Sequence, residues 1–247
     1  MIGPYPDRRK RVSRFAWFLV VFCGIMGGTA RAQYYDPRED GPPAEARFLY
    51  GGAMWRDFSP GTANPLPDSA AIRFTRVMPV VGFRTGLVDI LFGYTTYENG
   101  GQSRSAVFFG TTVATEFVAS GTRPGALLVQ LMLAADFTKV ESGGAQRSDF
   151  NVASVGLGGG LEYRYRSRSV QFWARAGVIA QYAIEGYSTG SGFSPVVTAE
   201  SVVCLRDIGL FEGIVLGYRF RLQTWSMSNA TLDYRSIFHG PTLGVMF

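Results

Sequence analysis

Charge is scarce in this chain of 247 residues: 17% of them are Asp, Glu, Lys or Arg, against about 25% in soluble domains. Histidine occurs once, as His239, and cysteine twice, as Cys23 and Cys204. One imidazole and two thiols cannot build the usual transition-metal sites, so no metal is expected, and no cofactor. No stretch shows a sustained helical period. Gly156-Leu157-Gly158-Gly159-Gly160 is the densest glycine run, but it sits inside an alternating segment with no helix after it, so it is no phosphate loop.

The formal charge of +5 is localised. Six of the 24 basic residues and one of the 19 acids fall in residues 1–32, leaving 18 of each sign in the remainder. That balance removes the basis for nucleic-acid binding. Beyond residue 32 the only lysine is Lys139; every other cation is arginine.

Residues 1–32 read as a signal peptide. Asp7 to Arg14 is a charged start, Phe15 to Met26 an apolar run of 12 residues, and Ala30-Arg31-Ala32 a cleavage site. Ala30 and Ala32 are the small residues a signal peptidase reads, with cut before Gln33. The apolar run is too short to span a bilayer comfortably as a helix. Bulky Phe22 before Cys23 argues against lipidation. Residues 33–46, with Pro37, Pro42 and Pro43, are expected to be a flexible periplasmic lead-in. After cleavage Cys204 is alone and reads as a small buried strand residue.

From residue 47 the chain is all-β. Ten strands are expected, at 47–57, 71–84, 87–98, 105–118, 125–139, 149–166, 169–187, 195–206, 210–225 and 232–247. Eight is the alternative, if 195–225 is organised differently. Odd-numbered links, such as Asn99-Gly100-Gly101-Gln102 and Ser142-Gly143-Gly144-Ala145-Gln146, read as longer and polar. Even-numbered links, such as Thr85-Gly86 and Ser167-Arg168, read as tight. Pro79 inside the second strand predicts a bulge or kink.

Alternation assigns two faces. In the seventh strand Val170, Phe172, Val178, Tyr182 and Ile184 oppose Gln171, Trp173, Arg175, Gln181 and Glu185. Aromatics end the apolar faces: Trp55, Tyr94, Phe117, Phe137, Tyr163, Tyr165, Tyr182 and Tyr218 are candidate interfacial girdles. The opposite faces place Arg76, Arg84, Arg164, Arg166, Arg175, Arg206, Arg219 and Arg221 inward, together with Asp89, Glu116, Asp136, Glu162, Glu185 and Glu200. Arginine pairs bidentately with carboxylates, so a salt-bridge network filling a narrow lumen is expected.

Strands of this length, the link asymmetry, the secretory start and the final strand Leu243-Gly244-Val245-Met246-Phe247 resemble bacterial outer-membrane β-barrels. The resemblance covers residues 47–247 plus the signal and implies an antiparallel up-and-down transmembrane β-barrel. It also implies that Leu243, Val245 and Phe247 are read by the barrel assembly machinery, and that outer-membrane lipid surrounds the strands. Pro241 and His239 depart from the apolar pattern of that terminal signal.

Omptin proteases are similar in strand count and length, and their activity rests on an Asp pair and an Asp–His pair. Here His239 has no Asp two residues before it; Asp233 lies six residues away. Barrel lipid hydrolases use Ser and His, but Ser236 is three residues from His239 and so on the other face. The expectation is therefore a small non-enzymatic outer-membrane barrel with a structural or surface-contact role. A narrow channel or carrier for a small solute is the alternative, and a rim hydrolase the third reading.

Overall fold

The computed structural model describes residues 47–66, 71–99, 101–122, 125–142, 149–167, 169–186, 190–208 and 211–247. The signal segment with Ala30, Ala32 and Gln33, and the 33–46 lead-in, lie outside the described residues.

Ten strands form one closed antiparallel ring: β1 (Phe48–Pro60), β2 (Phe74–Thr85), β3 (Val88–Asn99), β4 (Gln102–Thr122), β5 (Gly125–Val140), β6 (Phe150–Arg166), β7 (Val170–Glu185), β8 (Ser191–Ile208), β9 (Phe211–Met227) and β10 (Tyr234–Met246). Each strand pairs with its sequence neighbours, and β1 closes on β10. Ten, not eight, is the count, because 191–227 forms two full strands. At 12 to 21 residues, every strand exceeds the about 9–11 needed to cross hydrocarbon at a tilt. Among the described residues, no helix is long and apolar enough to cross a membrane.

One end of the barrel, called here the seam end, holds the start of β1 and the finish of β10. The β2–β3 and β6–β7 ends that are joined by short links lie there, while the β1–β2, β5–β6 and β9–β10 ends that are joined by longer links lie at the opposite, loop end. The link asymmetry has one exception. Asn99 pairs directly with Gln102, so the third link is a two-residue hairpin at the loop end. Gly101 takes φ +75° there, the geometry that such a hairpin needs.

Three prolines mark gaps in the ladders, because proline has no N–H to give. The β2–β3 ladder begins at Val80, leaving the segment up to Pro79 paired with β1 alone. The β8–β9 ladder skips Ser194 and Pro195. The β1–β10 ladder skips Gly240 and Pro241. A further irregularity between Val118 and Ser120 carries β4 beyond its expected end to Thr122.

The period-2 pattern is visible in burial. On β5, Leu131 is 57% exposed and the adjacent Met132 is 3% exposed. The exposed exterior of leucine, valine and aromatic side chains is the surface that only lipid suits. Its aromatics fall near both ends: Trp55, Tyr94 and Tyr182 toward the loop end, Phe117, Tyr163 and Tyr165 toward the seam end. On β6 the inward positions Gly156 and Gly158 permit close approach. An added Cβ would lie 1.9 Å from Ala180 O and 2.2 Å from Val178 O respectively.

Candidate functional site: the barrel interior

The interior is layered rather than uniformly polar. Toward the loop end, inward residues of β1, β2, β3, β6, β9 and β10 form an aromatic plug. Phe58 is fully buried and stacks on Tyr234 at 4.8 Å between ring centroids. Phe150 meets both Phe58, at 5.2 Å, and Trp225, at 5.1 Å, edge-on. Phe74 stacks on Tyr97 at 4.4 Å. Such geometries add attraction beyond the area they bury. Toward the seam end a second apolar cluster holds Phe48, Trp173, Val202, Cys204, Val215 and Met246. Cys204 is buried within it as a free thiol.

Charge fills the layer between. Glu162, Arg175, Glu200 and Arg219 occupy one register row across β6, β7, β8 and β9. Opposite signs therefore alternate along the row, the favourable arrangement for cross-strand neighbours. Arg175 Nε lies 2.6 Å and Arg219 Nε 2.7 Å from Glu200. From the far wall, Arg84 of β2 reaches Glu200 at 2.7 Å, and Asp89 of β3 takes Arg175 at 2.9 Å and Arg219 at 3.0 Å. The Tyr50 hydroxyl donates to Asp89 Oδ1 at 2.8 Å and accepts from Arg219 at 2.5 Å.

A second cluster adjoins this one, with Arg84 lying 3.9 Å from Glu162. Arg164 pairs with Glu162 and, at 3.0 Å, with Glu116. Gln130 donates to Glu162 at 2.9 Å and to Glu116 at 3.2 Å. A third cluster sits nearer the plug: Arg221 pairs with Asp136 at 2.5 Å, and Gln181 donates to the same carboxylate. Gln223 accepts from Arg221 and donates to Gln181 and Ser194. Between the charged layers lies a cavity of about 80 Å³ lined by Met54, Phe108, Met132 and Ile179, with Asp89 and Asp136 at its edges. Its volume suits a few water molecules.

Ten of the fourteen residues expected inside meet in these clusters: Arg84, Asp89, Glu116, Asp136, Glu162, Arg164, Arg175, Glu200, Arg219 and Arg221. Arg76 does not. It is exposed on the stretch of β2 that precedes Pro79 and pairs with β1 only. Arg206 is half-buried beside the β8–β9 turn at the seam end and makes no ion pair among the described residues. Arg166 lies half-buried at the seam end of β6, and Glu185 is buried at the loop end of β7. Two charged-layer residues were not among those expected: Tyr50 and Arg56, both on the inward face of β1. The parity of Phe48, Met54 and Phe58 carries that signal. The expected polar lumen is likewise corrected, since aromatic residues share the inward parity at the loop end.

His239 is on the outer face of β10. It stacks on Trp55 at 5.9 Å, and its Nδ1 lies 2.8 Å from the Tyr218 hydroxyl. Ser236 faces inward and accepts from Arg56. Leu243 and Phe247 are exposed on the outside at the seam end, where Phe247 stacks on Phe83 at 6.3 Å. Val245 is on the same face, opposite Leu49.

A closed ring of ten long antiparallel strands, apolar outside and packed inside, is a transmembrane β-barrel of the small outer-membrane class. The sequence matches no protein-family model and no curated protein. Among solved structures it is similar to the outer membrane protease OmpT from Escherichia coli, with 6% identity over 86% of this chain and 100% of that one and a TM-score of 0.43. It is also similar to Neisserial surface protein A (14% identity, 81% and 97% coverage, TM-score 0.33) and to the CymD monoaromatic hydrocarbon channel (8%, 82% and 89%, TM-score 0.29). At these identities no residue role passes from those proteins to this chain.

Proposed function

We propose that this is a plugged, non-enzymatic barrel of the bacterial outer membrane, with an envelope-structural or surface-contact role exercised through its loop end. The observation that carries the reading is the aromatic stack of Phe58, Phe150, Trp225 and Tyr234 across the lumen. Beneath it the ion-pair layer holds inward side chains to one another. Both support a lumen that works as a core. An even strand number puts the start of β1 and the end of β10 on one side, and the short links there suit the periplasm. The longer links would then face outward, where partners are met.

Lipid is the partner proposed for the exterior. The assembly machinery is the partner proposed for Leu243, Val245 and Phe247, which present one apolar edge beside the closing seam. At His239 the Trp55 ring stacks and the Tyr218 hydroxyl lies within hydrogen-bonding distance of Nδ1, an outward aromatic group that supports the non-enzymatic reading.

Planar-bilayer recording of the refolded full chain tests the proposal. Silence across the voltage range is expected. Discrete conductance steps would overturn it in favour of a narrow channel.

A further inference from the structure

Among the described residues, the three ion-pair clusters balance: five arginines pair with five carboxylates. A sixth buried guanidinium, Arg56, is left over. It is 1% exposed and has no ion pair among the described residues. Its Nε donates to Ser236 Oγ at 3.3 Å, and its Nη1 has no hydrogen-bond partner. Its guanidinium lies 5.6 Å from the Phe58 ring centroid and 5.9 Å from that of Phe108. Arg221 lies over the same Phe108 ring at 5.4 Å. Two cations thus flank one phenyl ring, and the nearby Asp136 holds Arg221 and Gln181 through Oδ2 and makes no ion pair with Arg56. Ring faces soften a buried cation but bring no net negative charge, and a buried charge without a counter-charge is strongly unfavourable.

A small cavity of about 10 Å³ adjoins these groups, lined by Arg56, Arg221, Gln223, Trp225, Ser236 and the two phenylalanines Phe108 and Phe238. That is the space of about one water-sized body. The hydrogen-bonding capacity left at its wall is mostly that of donors. Arg56 Nη1 and Trp225 Nε1 are buried N–H groups without partners. The Ser236 hydroxyl accepts from Arg56, so its proton is free to be given. Gln223 spends its amide on Gln181 and Ser194 and its carbonyl on Arg221. A water would find mostly donors, the second lone pair of Ser236 Oγ being the side-chain acceptor left to it, and would leave the charge of Arg56 unmet.

We infer that this pocket binds one small monovalent anion of halide size, held by Arg56, Trp225 and Ser236. The anion is the missing counter-charge of the sixth arginine. It sits directly beneath the aromatic plug, tying β1 to β9 and β10.

Bromide is the probe. In crystals of the refolded full chain grown with bromide, one anomalous peak is expected inside the barrel, within hydrogen-bonding reach of Arg56 Nη1 and Trp225 Nε1. In detergent, the unfolding midpoint is expected to rise with chloride but not with gluconate at equal ionic strength. The rise is about 3–6 °C at tenfold the dissociation constant. Arg56→Gln should abolish both signals. Trp225→Phe keeps the ring and removes only the N–H, so it serves if Arg56→Gln does not fold, and it should weaken both. Featureless or water-like density at the pocket in bromide crystals, or equal midpoints in the two salts, would overturn the inference. So would a halide response unchanged in a folded variant.

Discussion

Arg84 on β2 and Glu200 on β8 meet across the barrel interior at 2.7 Å, though 116 residues separate them. Neither strand neighbours the other. The contact exists only because the sheet closes, and it makes Glu200 the shared carboxylate of Arg84, Arg175 and Arg219.

Removing that carboxylate leaves three buried guanidinia to Asp89 and Glu162 alone, an excess of positive charge in a buried layer. Glu200→Ala is expected to destabilise the barrel by about 3–5 kcal/mol. Equilibrium urea unfolding of the refolded protein measures it. A loss near zero would mean the row is solvated and does not act as a core.

The glycines of β6 give a paired test. At Gly156 an added methyl would sit 1.9 Å from Ala180 O, whereas at outward Gly159 the nearest atom is Gln130 O at 3.4 Å. Gly156→Ala is expected to cost about 1–3 kcal/mol through overpacking, and Gly159→Ala to be tolerated. Heat-modifiable migration in gels reports the folded fraction. Equal yields from the two variants would contradict the close β6–β7 approach.

Opening the plug should open the barrel. The double variant Phe58→Ala/Trp225→Ala removes two of the three rings that pack on Phe150, leaving Tyr234. Conductance steps absent from the parent are expected in planar bilayers. A folded but silent variant would place the block in the charged layer instead.

Deleting Phe247 removes an exposed ring at the seam end, its stacking on Phe83 and its backbone hydrogen bond to Arg47 O. The amount of heat-modifiable folded protein in outer-membrane fractions is expected to fall. Normal amounts would show that assembly reads another part of β10.

Much of the architecture was legible because a strand's period of two is local. Leu131 and Met132 need only their parity to be sent to opposite faces. The hairpin at Gly100-Gly101 was expected to be a longer loop, because a Gly-rich polar link reads alike whether Asn99 and Gln102 pair or splay. Arg76 shows where parity fails: Pro79 ends the β2–β3 ladder, and the segment before it leaves its inward residue exposed. Arg56 has the inward parity of Met54 and Phe58, yet nothing in β1 alone tells that Ser236 is its hydrogen-bond partner and that no carboxylate among the described residues lies within pairing distance.

Strand alternation assigns which residues face in and which face out, and long alternating strands in lipid must close on themselves, since lipid satisfies no backbone hydrogen bond. Which inward groups stand at the same height is set by the closed barrel. Parity assigns a face, while register, strand tilt and closure assign a level. Those levels put Phe58 against Tyr234 in a plug, Arg84 against Glu200 in a paired layer, and Arg56 beside a small pocket without a carboxylate.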